Sequence, residues 1–324
     1  MQFDLLGRTE LSVSRLGFGS APVGFLGTSQ GQIDKVVATL LEAGVNLFDT
    51  AACYPGSEEA LGHALAGRRD DVVIVTKAGH PCDDDAHGHP AFSPELLAAS
   101  VDRSLERLKT DHLDVVLLHT CTLEQLEEGS ALGALLDARD AGKTRFVGFA
   151  GDNEAAAFAA ADAGVDVLEV SVNLADQHNL DAVLPAAREH HKGVIAKRPL
   201  ANACWKDRDA QPGMYKSYAD AYSRRLAAME AEGLSPAALG HSGHVEVEWP
   251  DVALRFTLAH PGVSSAIIGS TSTVHTEMNL DAARKNPLRE EAVERIRAAW
   301  QAARAARRGA AAEDDEGDDW KGRT

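Results

Sequence analysis

Three titratable residues each end a short run of apolar residues, and a fourth follows close behind the first of them. Asp49, Lys77 and His119 end such runs, and Tyr54 lies five residues beyond Asp49. A free tyrosine has a pKa of about 10 and is a weak acid at neutral pH. A lysine that favours its phenolate, oriented and compensated by an aspartate, would make it useful. These residue types therefore predict general acid–base chemistry.

The four side chains converge only if the apolar runs are strands that end on one side of a sheet. The chain repeats apolar strand, loop and amphipathic helix, and the strands lack polar alternation, which is typical of a parallel sheet buried on both faces. Eight such units predict an α/β fold closed as a (β/α)8 TIM barrel, with the active site at the carboxyl ends of the strands. The predicted strands are Arg15–Gly19, Asn46–Asp49, Val72–Lys77, Asp114–His119, Arg145–Ala150, Val167–Val172, Val194–Lys197 and Ser265–Gly269.

The remaining segments predict a hairpin, helices and a tail. Met1–Val13 predicts an N-terminal β-hairpin that closes one end of the barrel. We expect one domain over residues 1–308 and an acidic, disordered tail over 309–324, because Glu313–Asp319 carries six acids. Helices are predicted at Gln32–Glu42, from Ser93, at Leu123–Arg139, Asn153–Ala163, Leu180–Glu189, Ser217–Glu232 and Pro250–Ala259, with an extra C-terminal helix at Arg289–Arg308.

Composition limits the partners and the compartment. Thirty-two basic and 49 acidic residues give a net charge of −17, which disfavours nucleic acid and anionic membrane surfaces as partners. No apolar run approaches the about 18 residues of a membrane span, and no signal-peptide pattern opens the chain. The four cysteines show no CxxC spacing, so we expect a reduced, cytoplasmic protein.

The motifs around the four titratable residues resemble those of the aldo-keto reductase superfamily. The resemblance rests on NLFDTAACYP followed by GSEEALG, then VTKAG and DVVLLH, and it runs from LGRTELSVSRLGFGS to AIIGSTSTVHTEMN, nearly the whole chain to about Asp281. It implies that Asp49, Tyr54, Lys77 and His119 form a catalytic tetrad beside a nicotinamide cofactor. Tyr54 would be the general acid in reduction and the base in oxidation, Lys77 would lower its pKa, and His119 would orient the carbonyl oxygen.

The resemblance also implies contacts to the cofactor. Gly269, Ser270 and Thr271 would open a helix that meets an adenosine 2′-phosphate, helped by Asn279. His275 replaces the family's basic residue and Gly269 its frequent lysine, so NADP is favoured and NAD is the alternative. Asp152 or backbone groups would replace the family's Ser-Asn contact to the carboxamide. The other implied cofactor contacts are Gly19, Ser20, Ala150, Gly151, Glu169, Lys197, Arg198, Pro199 and Leu200.

Apolar and sulfur-bearing residues near the predicted strand ends are candidates to contact substrate. They are Phe25, Cys53, Cys121 and Trp205, and Tyr215 lies in a loop that could join them. No metal is expected, because the histidines and cysteine of the loop after Lys77 match no closed zinc pattern; they are His80, Cys82, His87 and His89.

The sequence predicts an NAD(P)-dependent oxidoreductase that acts on an aldehyde, ketone or aldose as its small-molecule partner. It resembles the branch that includes aldose and L-galactose dehydrogenases. A non-catalytic, nicotinamide-sensing regulatory subunit on the same barrel is the alternative, since the family includes channel-associated β subunits. A barrel hydrolase or isomerase would need a metal cluster or paired carboxylates, for which only Asp49 and Glu169 qualify.

Overall fold

Eight parallel strands close into a barrel in chain order, and an antiparallel hairpin precedes them. The computed structural model describes residues 1–82, 88–213, 215–241, 244–309, 320 and 322. Every end of the eight predicted barrel strands is confirmed to within one residue. The strands are β1 (Phe3–Leu5), β2 (Ser12–Ser14), β3 (Leu16–Gly19), β4 (Leu47–Asp49), β5 (Val73–Ala78), β6 (Leu113–His119), β7 (Thr144–Ala150), β8 (Val167–Ser171), β9 (Gly193–Lys197) and β10 (Ser265–Ile268).

Helices cover the outside of the barrel. They are α1 (Ala21–Phe25), α2 (Gln30–Glu42), α3 (Ser57–Ala64), α4 (Pro94–Leu108), α5 (Leu123–Glu128), α6 (Ser130–Asp140), α7 (Asn153–Ala161), α8 (His178–Ala182), α9 (Leu184–Glu189), α10 (Tyr215–Tyr218), α11 (Asp220–Ala231), α12 (Val245–Leu258), α13 (Thr273–Arg284) and α14 (Glu290–Gly309). In the part of the chain that the structure describes, no helix is both long and apolar enough to cross a membrane.

Several predicted helices differ from the structure. The segment predicted as one helix over Leu123–Arg139 breaks at Gly129, whose φ of 74° caps α5 before α6 begins. The segment Leu180–Glu189 is likewise two short helices that meet at Val183. Helix α12 begins before Pro250 and continues through it. Helices α1 and α3 were not predicted, because each is too short to show a helical period.

The hairpin closes the amino-terminal end of the barrel. Leu6, Leu11 and Val13 are buried and join the cluster of apolar side chains inside the barrel. Gly7 has a φ of 58°, and a Cβ there would lie 2.1 Å from the amide nitrogen of Gly193, so only glycine fits this turn. Phe3, whose alternation with its neighbours helped to predict the hairpin, is half exposed.

Two residues of the predicted tail contact the barrel. The expectation of a disordered tail falls mostly on residues 310–319, which lie outside the described residues. Trp320 is buried, and its ring packs edge-on against Trp300 of α14 with 5.7 Å between centroids. The backbone of Gly322 exchanges two hydrogen bonds with the side chain of Asn153, at 2.6 and 2.9 Å. Trp320 is thus a packed residue, contrary to its expected place in a solvated tail.

Candidate active site

A cleft of about 1020 Å³ opens at the carboxyl ends of the barrel strands. Most of the predicted site residues line it, and Lys77 lies beneath its floor. The predicted residues in its wall are Gly19, Phe25, Asp49, Cys53, Tyr54, His119, Ala150, Glu169, Lys197, Arg198, Pro199, Leu200, Trp205, Tyr215, Gly269, Ser270, Thr271, His275 and Asn279. The topology therefore brings the predicted tetrad and most predicted cofactor contacts to one opening.

Strand alternation explains how polar side chains reach the interior of an apolar barrel. Side chains two residues apart on a strand share a face. Val73 and Val75 point inward among the interior cluster, and Lys77 continues their row toward the mouth. The inward-facing residues of β6 are likewise Val115, Leu117 and His119, and those of β8 are Val167 and Glu169. Each of these strands is therefore apolar along the barrel interior, and its last inward-facing residue is a titratable side chain near the mouth.

Lys77 and Asp49 form a buried ion pair below the cleft. The Lys77 Nζ donates hydrogen bonds to both carboxylate oxygens of Asp49, at 2.7 and 2.6 Å, and to the Thr50 carbonyl at 2.9 Å. Burial lowers the pKa of Lys77, but Asp49 and Glu169 outweigh it, so the net pKa is above the ordinary value. Lys77 is therefore a fixed cation at neutral pH.

A buried polar network holds the loop that carries Tyr54. The guanidinium of Arg107 donates to the Ala52 carbonyl at 2.9 Å and contacts the buried Glu58 carboxylate at 3.2 Å. Glu58 also accepts a 2.7 Å hydrogen bond from the hydroxyl of Thr76, the neighbour of Lys77 on β5. This network ties the Tyr54 loop to the strand that carries the lysine.

The Tyr54 ring lies among the other site residues. It makes edge-on contacts with Phe25 and His119, at centroid distances of 5.4 and 5.8 Å, and Lys77 Nζ is 5.4 Å from its centroid. Burial raises the pKa of the Tyr54 phenol, and Lys77 opposes this rise without cancelling it. Tyr54 is thus protonated at neutral pH, as a proton donor must be. Lys77 acts in the predicted direction, since it lowers the pKa of Tyr54, but burial has the larger effect and the net pKa is raised.

His119 is electrically neutral. Burial lowers its pKa well below the ordinary value, and the charge of Lys77 lowers it further. Its Nδ1 lies 3.4 Å from the sulfur of Cys53. Burial and the neighbouring Cys82 raise the pKa of the Cys53 thiol to about 11, so the thiol keeps its proton and can donate it to Nδ1. In that arrangement the imidazole carries its proton on Nε2, which can donate to a bound oxygen.

Glu169 meets the tetrad from across the barrel. Its Oε2 lies 3.2 Å from Lys77 Nζ, and its side chain is 4% exposed. Burial and the Glu169 carboxylate raise the pKa of Asp49 well above its ordinary value, against the opposing effect of Lys77. The resemblance implied a carboxamide contact for Glu169, and the structure adds a direct ion contact with the lysine.

Asp152 is a structural hub rather than a free cofactor contact. Its carboxylate accepts hydrogen bonds from the Ser171 amide at 2.7 Å and from the Asn179 side chain at 2.7 Å, and it pairs with Lys197 Nζ at 3.2 Å. These partners occupy both of its oxygens, so the suggestion that Asp152 binds the carboxamide is wrong. Lys197 and Arg198 remain in the cleft wall as a basic surface.

The segment after β10 forms the start of a helix in the cleft wall. Ser272, which was not predicted, caps α13 by accepting a hydrogen bond from the His275 amide at 3.4 Å. The amides of a helix amino terminus favour anions such as phosphate. Gly269 packs close to Pro22, where a Cβ would lie 2.7 Å from the proline ring, so a larger residue would displace α1.

Besides Lys77 and Asp152, three other predicted residues do not line the cleft. Cys121 is buried in the main hydrophobic core, which makes the prediction of substrate contact wrong. Ser20 is buried and accepts a 2.7 Å hydrogen bond from Ser57, and Gly151 extends the pairing of β7 with β8 through its amide. Ser20 and Gly151 therefore act as supports behind the wall.

Other cleft residues were missed by sequence reasoning. Most of them come from α1 and the residue after it, from loop 198–212, from α10, from α12 and from the start and exposed face of α13, where no period marks a binding residue. They include Ala21, Pro22, Leu26, Asn202, Gln211, Tyr218, Val247, Ser272 and Met278. Only Ser272 had a usable signal, since serine before a helix is a common N-cap. Among the described residues no group of histidine, cysteine and acidic side chains is arranged to hold a metal.

A parallel (β/α)8 barrel with a buried lysine–aspartate pair, a tyrosine and a neutral histidine at its strand ends defines an oxidoreductase type of site. The model of the aldo/keto reductase family matches residues 15–301. The chain belongs to the aldo/keto reductase family, whose members use nicotinamide cofactors. It is an oxidoreductase enzyme of that family.

Relatives of known name agree with this membership. L-galactose dehydrogenase from Arabidopsis thaliana is 32% identical over 295 residues, which cover 86% of each chain. A probable voltage-gated potassium channel subunit beta from the same plant is 27% identical and covers 89% of this chain and 93% of its own length. The holo form of aldo-keto reductase AKR11C1 from Bacillus halodurans shares the fold with a TM-score of 0.76 and 24% identity, covering 92% of this chain and 96% of that one.

Proposed function

We propose that this protein interconverts a carbonyl and an alcohol on an aldehyde, ketone or aldose, with a nicotinamide cofactor and with Tyr54 as general acid and base. The observation that carries the proposal is the buried Asp49–Lys77 ion pair beneath a protonated Tyr54, with neutral His119 beside it. Four groups with complementary protonation states at one cleft floor suit proton transfer to a reacting oxygen.

The cleft suits a nicotinamide cofactor in size and donor groups. Its volume of about 1020 Å³ is at the upper end for ligand pockets. The amino terminus of α13 and the basic side chains Lys197 and Arg198 would hold phosphates, and the buried Oε2 of Glu169 has no hydrogen-bond partner among the described residues. When bound, the nicotinamide supplies or accepts a hydride at the substrate carbon.

The tetrad supplies the remaining chemistry. Nε2–H of His119 donates to the carbonyl oxygen and fixes its direction toward Tyr54. As charge grows on that oxygen, Tyr54 gives up its proton, and the ammonium of Lys77 stabilises the phenolate that forms. Asp49 holds Lys77 in place through two hydrogen bonds. In alcohol oxidation the Tyr54 phenolate takes the proton back.

NADP is our proposed cofactor and NAD the alternative. Ser270, Thr271 and Asn279 lie in the wall where a 2′-phosphate would meet the start of α13. His275 offers an imidazole where an arginine would give a fixed, bidentate charge, which weakens this discrimination. Similarity to L-galactose dehydrogenase supports a sugar 1-dehydrogenase as the specific activity.

The test is fluorescence titration with NADPH and NADH, followed by turnover with a small aldehyde and a panel of aldoses. Trp205 lies in the cleft wall and reports binding. Tyr54→Phe should keep cofactor binding and lose turnover by about 10²–10⁴-fold, because it removes only the proton donor. Equal turnover in parent and variant would contradict the assigned role of Tyr54.

A regulatory subunit is the second candidate, since the similarity to a potassium channel β subunit spans 89% of this chain. It predicts that the parent binds the cofactor and shows no turnover with any substrate of the panel. Turnover that Tyr54→Phe abolishes would exclude a purely regulatory role. Failure of the parent to bind either nucleotide would contradict both candidates.

A further inference from the structure

Lys77 lies between two buried carboxylates. Its Nζ is 2.6 Å from Asp49 and 3.2 Å from Glu169, and the three side chains are 1%, 3% and 4% exposed. One ammonium neutralises one carboxylate, so the cluster carries an excess acid when both are ionised. An uncompensated charge is costly in a buried site, which means that the pair either holds a proton or needs a second cation.

The excess acid faces the cleft. Glu169 lines the cleft wall, and its Oε2 is buried without a hydrogen-bond partner among the described residues. Beyond its ion contact with Lys77, this oxygen can be satisfied by a group that enters the cleft or by a proton.

The other groups around Glu169 do not supply the second cation. Tyr54 keeps its proton and His119 is neutral, as burial requires of both. Lys197 is bound to Asp152 and pairs in register with Ser171, two residues beyond Glu169 toward the mouth. Lys197 and Arg198 form a basic part of the cleft wall that suits the cofactor phosphates. This part lies nearer the mouth of the barrel than the Glu169 carboxylate.

We propose that Glu169 makes the site select the oxidised form of the nicotinamide cofactor, by giving its carboxylate as counter-charge to the pyridinium ring. Binding of that form favours the state in which both carboxylates are ionised, so at a pH where Asp49 holds a proton that proton is released to solvent. The inference rests on the proposed function, because the nicotinamide must reach the carbon whose oxygen Tyr54 and His119 hold. It favours the alcohol-oxidising direction.

The sign of the pH dependence follows from the pair. Because burial and Glu169 raise the pKa of Asp49, Asp49 takes up a proton as pH falls, at a higher pH than a free aspartate would, and Lys77 is then left to neutralise Glu169. Affinity for the oxidised cofactor is therefore lost as pH falls, by up to about tenfold per pH unit for one proton. The reduced ring is uncharged, and the phosphates are common to both forms. The ratio of the two Kd values therefore reports the effect of the charge on the nicotinamide ring.

Glu169→Gln tests the proposal, because it removes the charge and keeps the shape. In the parent, the ratio of oxidised to reduced Kd should fall with rising pH. At the pH where this ratio changes, calorimetry in buffers of different ionisation enthalpy should count a released proton. In Glu169→Gln the Kd for the oxidised cofactor should rise by about tenfold relative to the Kd for the reduced cofactor, and the ratio should no longer depend on pH.

Asp166→Asn is the matched control. Asp166 precedes β8 at the opposite end of the barrel and pairs with Arg8 at 2.9 Å, so the change removes one carboxylate from the same segment. Its Kd ratio should equal that of the parent.

A ratio in Glu169→Gln equal to the parent's would overturn the inference and leave the proposed function standing. A ratio in the parent that stays flat from neutral pH down to the lowest pH at which the protein remains folded would also overturn it, and this measurement needs no variant. If the parent binds neither form, the proposed function fails and the inference falls with it.

Discussion

The barrel interior ends in apolar side chains at its amino end and in charged side chains at its carboxyl end. At the amino end, the hairpin inserts Leu6, Leu11 and Val13 into the apolar interior, and all three are buried. At the carboxyl end, Lys77 and Glu169 are the last inward-facing residues of β5 and β8.

Charge is likewise treated differently at the two ends. Near the hairpin, Arg8 donates to the Asp166 carboxylate and to the carbonyls of Ala163 and Val165, and this ion pair has one acid for one base. At the mouth one lysine serves two acids. The comparison teaches that the amino end is built for stability, whereas the carboxyl end keeps an imbalance that a ligand can resolve.

Lys77→Met should have the largest effect. It leaves two buried carboxylates without a cation, so turnover should fall by about 10²–10⁴-fold and the free energy of unfolding by about 3–5 kcal/mol. The pKa of Asp49, which is already raised, then rises further, because Lys77 no longer lowers it, and protonation relieves the repulsion. The stability deficit should therefore shrink as pH falls, which urea unfolding at a series of pH values would show.

Lys192→Met is the control for that prediction. Lys192 is a buried lysine at the opposite end, and its Nζ donates to the backbone carbonyls of Asp162, at 2.5 Å, and Val165. It should cost stability and leave turnover at the parent's level. If both variants lost turnover equally, the loss would reflect general unfolding and the contrast between the two ends would fail.

Leu6→Ala should cost stability alone. The Leu6 side chain is completely buried and packs over Gly193, where an added Cβ would meet it at 2.7 Å. Truncation leaves a cavity and should lower the free energy of unfolding by about 2–5 kcal/mol. Turnover measured well below the unfolding temperature should not change. A change in kcat as large as that of a mouth variant would show that the two ends are coupled.

The barrel and the tetrad were predictable because local patterns determine both. Apolar strands without polar alternation predicted the parallel sheet, and each polar residue that ended a strand was placed at the mouth by topology. The positions of Asp49, Lys77 and His119 follow from that rule alone. The roles of the tetrad in catalysis stay a prediction.

Contacts across the barrel were not predictable. Glu169 reaches Lys77 from β8, three strands away from β5, and no sequence spacing encodes that approach. Cys121 stands two residues after His119 but turns into the core, because the chain leaves the strand at Thr120 with a φ of 61°. Asp152 was expected in the cofactor site. Its hydrogen bonds to Ser171 and Asn179 join residues far apart in the chain, and no sequence pattern predicts them.

Cys53→Ala should have the smallest effect and sharpens the comparison within the mouth. Its thiol lies 3.4 Å from Nδ1 of His119, and a hydrogen bond donated from the thiol to that nitrogen would hold the imidazole proton on Nε2. Loss of one such hydrogen bond costs about 1 kcal/mol, so turnover with a carbonyl substrate should fall about fivefold, with cofactor affinity unchanged.

Cys53→Ser should restore most of that turnover, because its hydroxyl can donate to the same nitrogen. Cys121→Ala is the matched control: it removes a thiol from the core, so it should lower stability and leave turnover alone. If Cys53→Ser were as slow as Cys53→Ala, the thiol would act by filling space rather than by donating its proton. The orientation of His119 would then depend on its ring contacts with Tyr54 and His80.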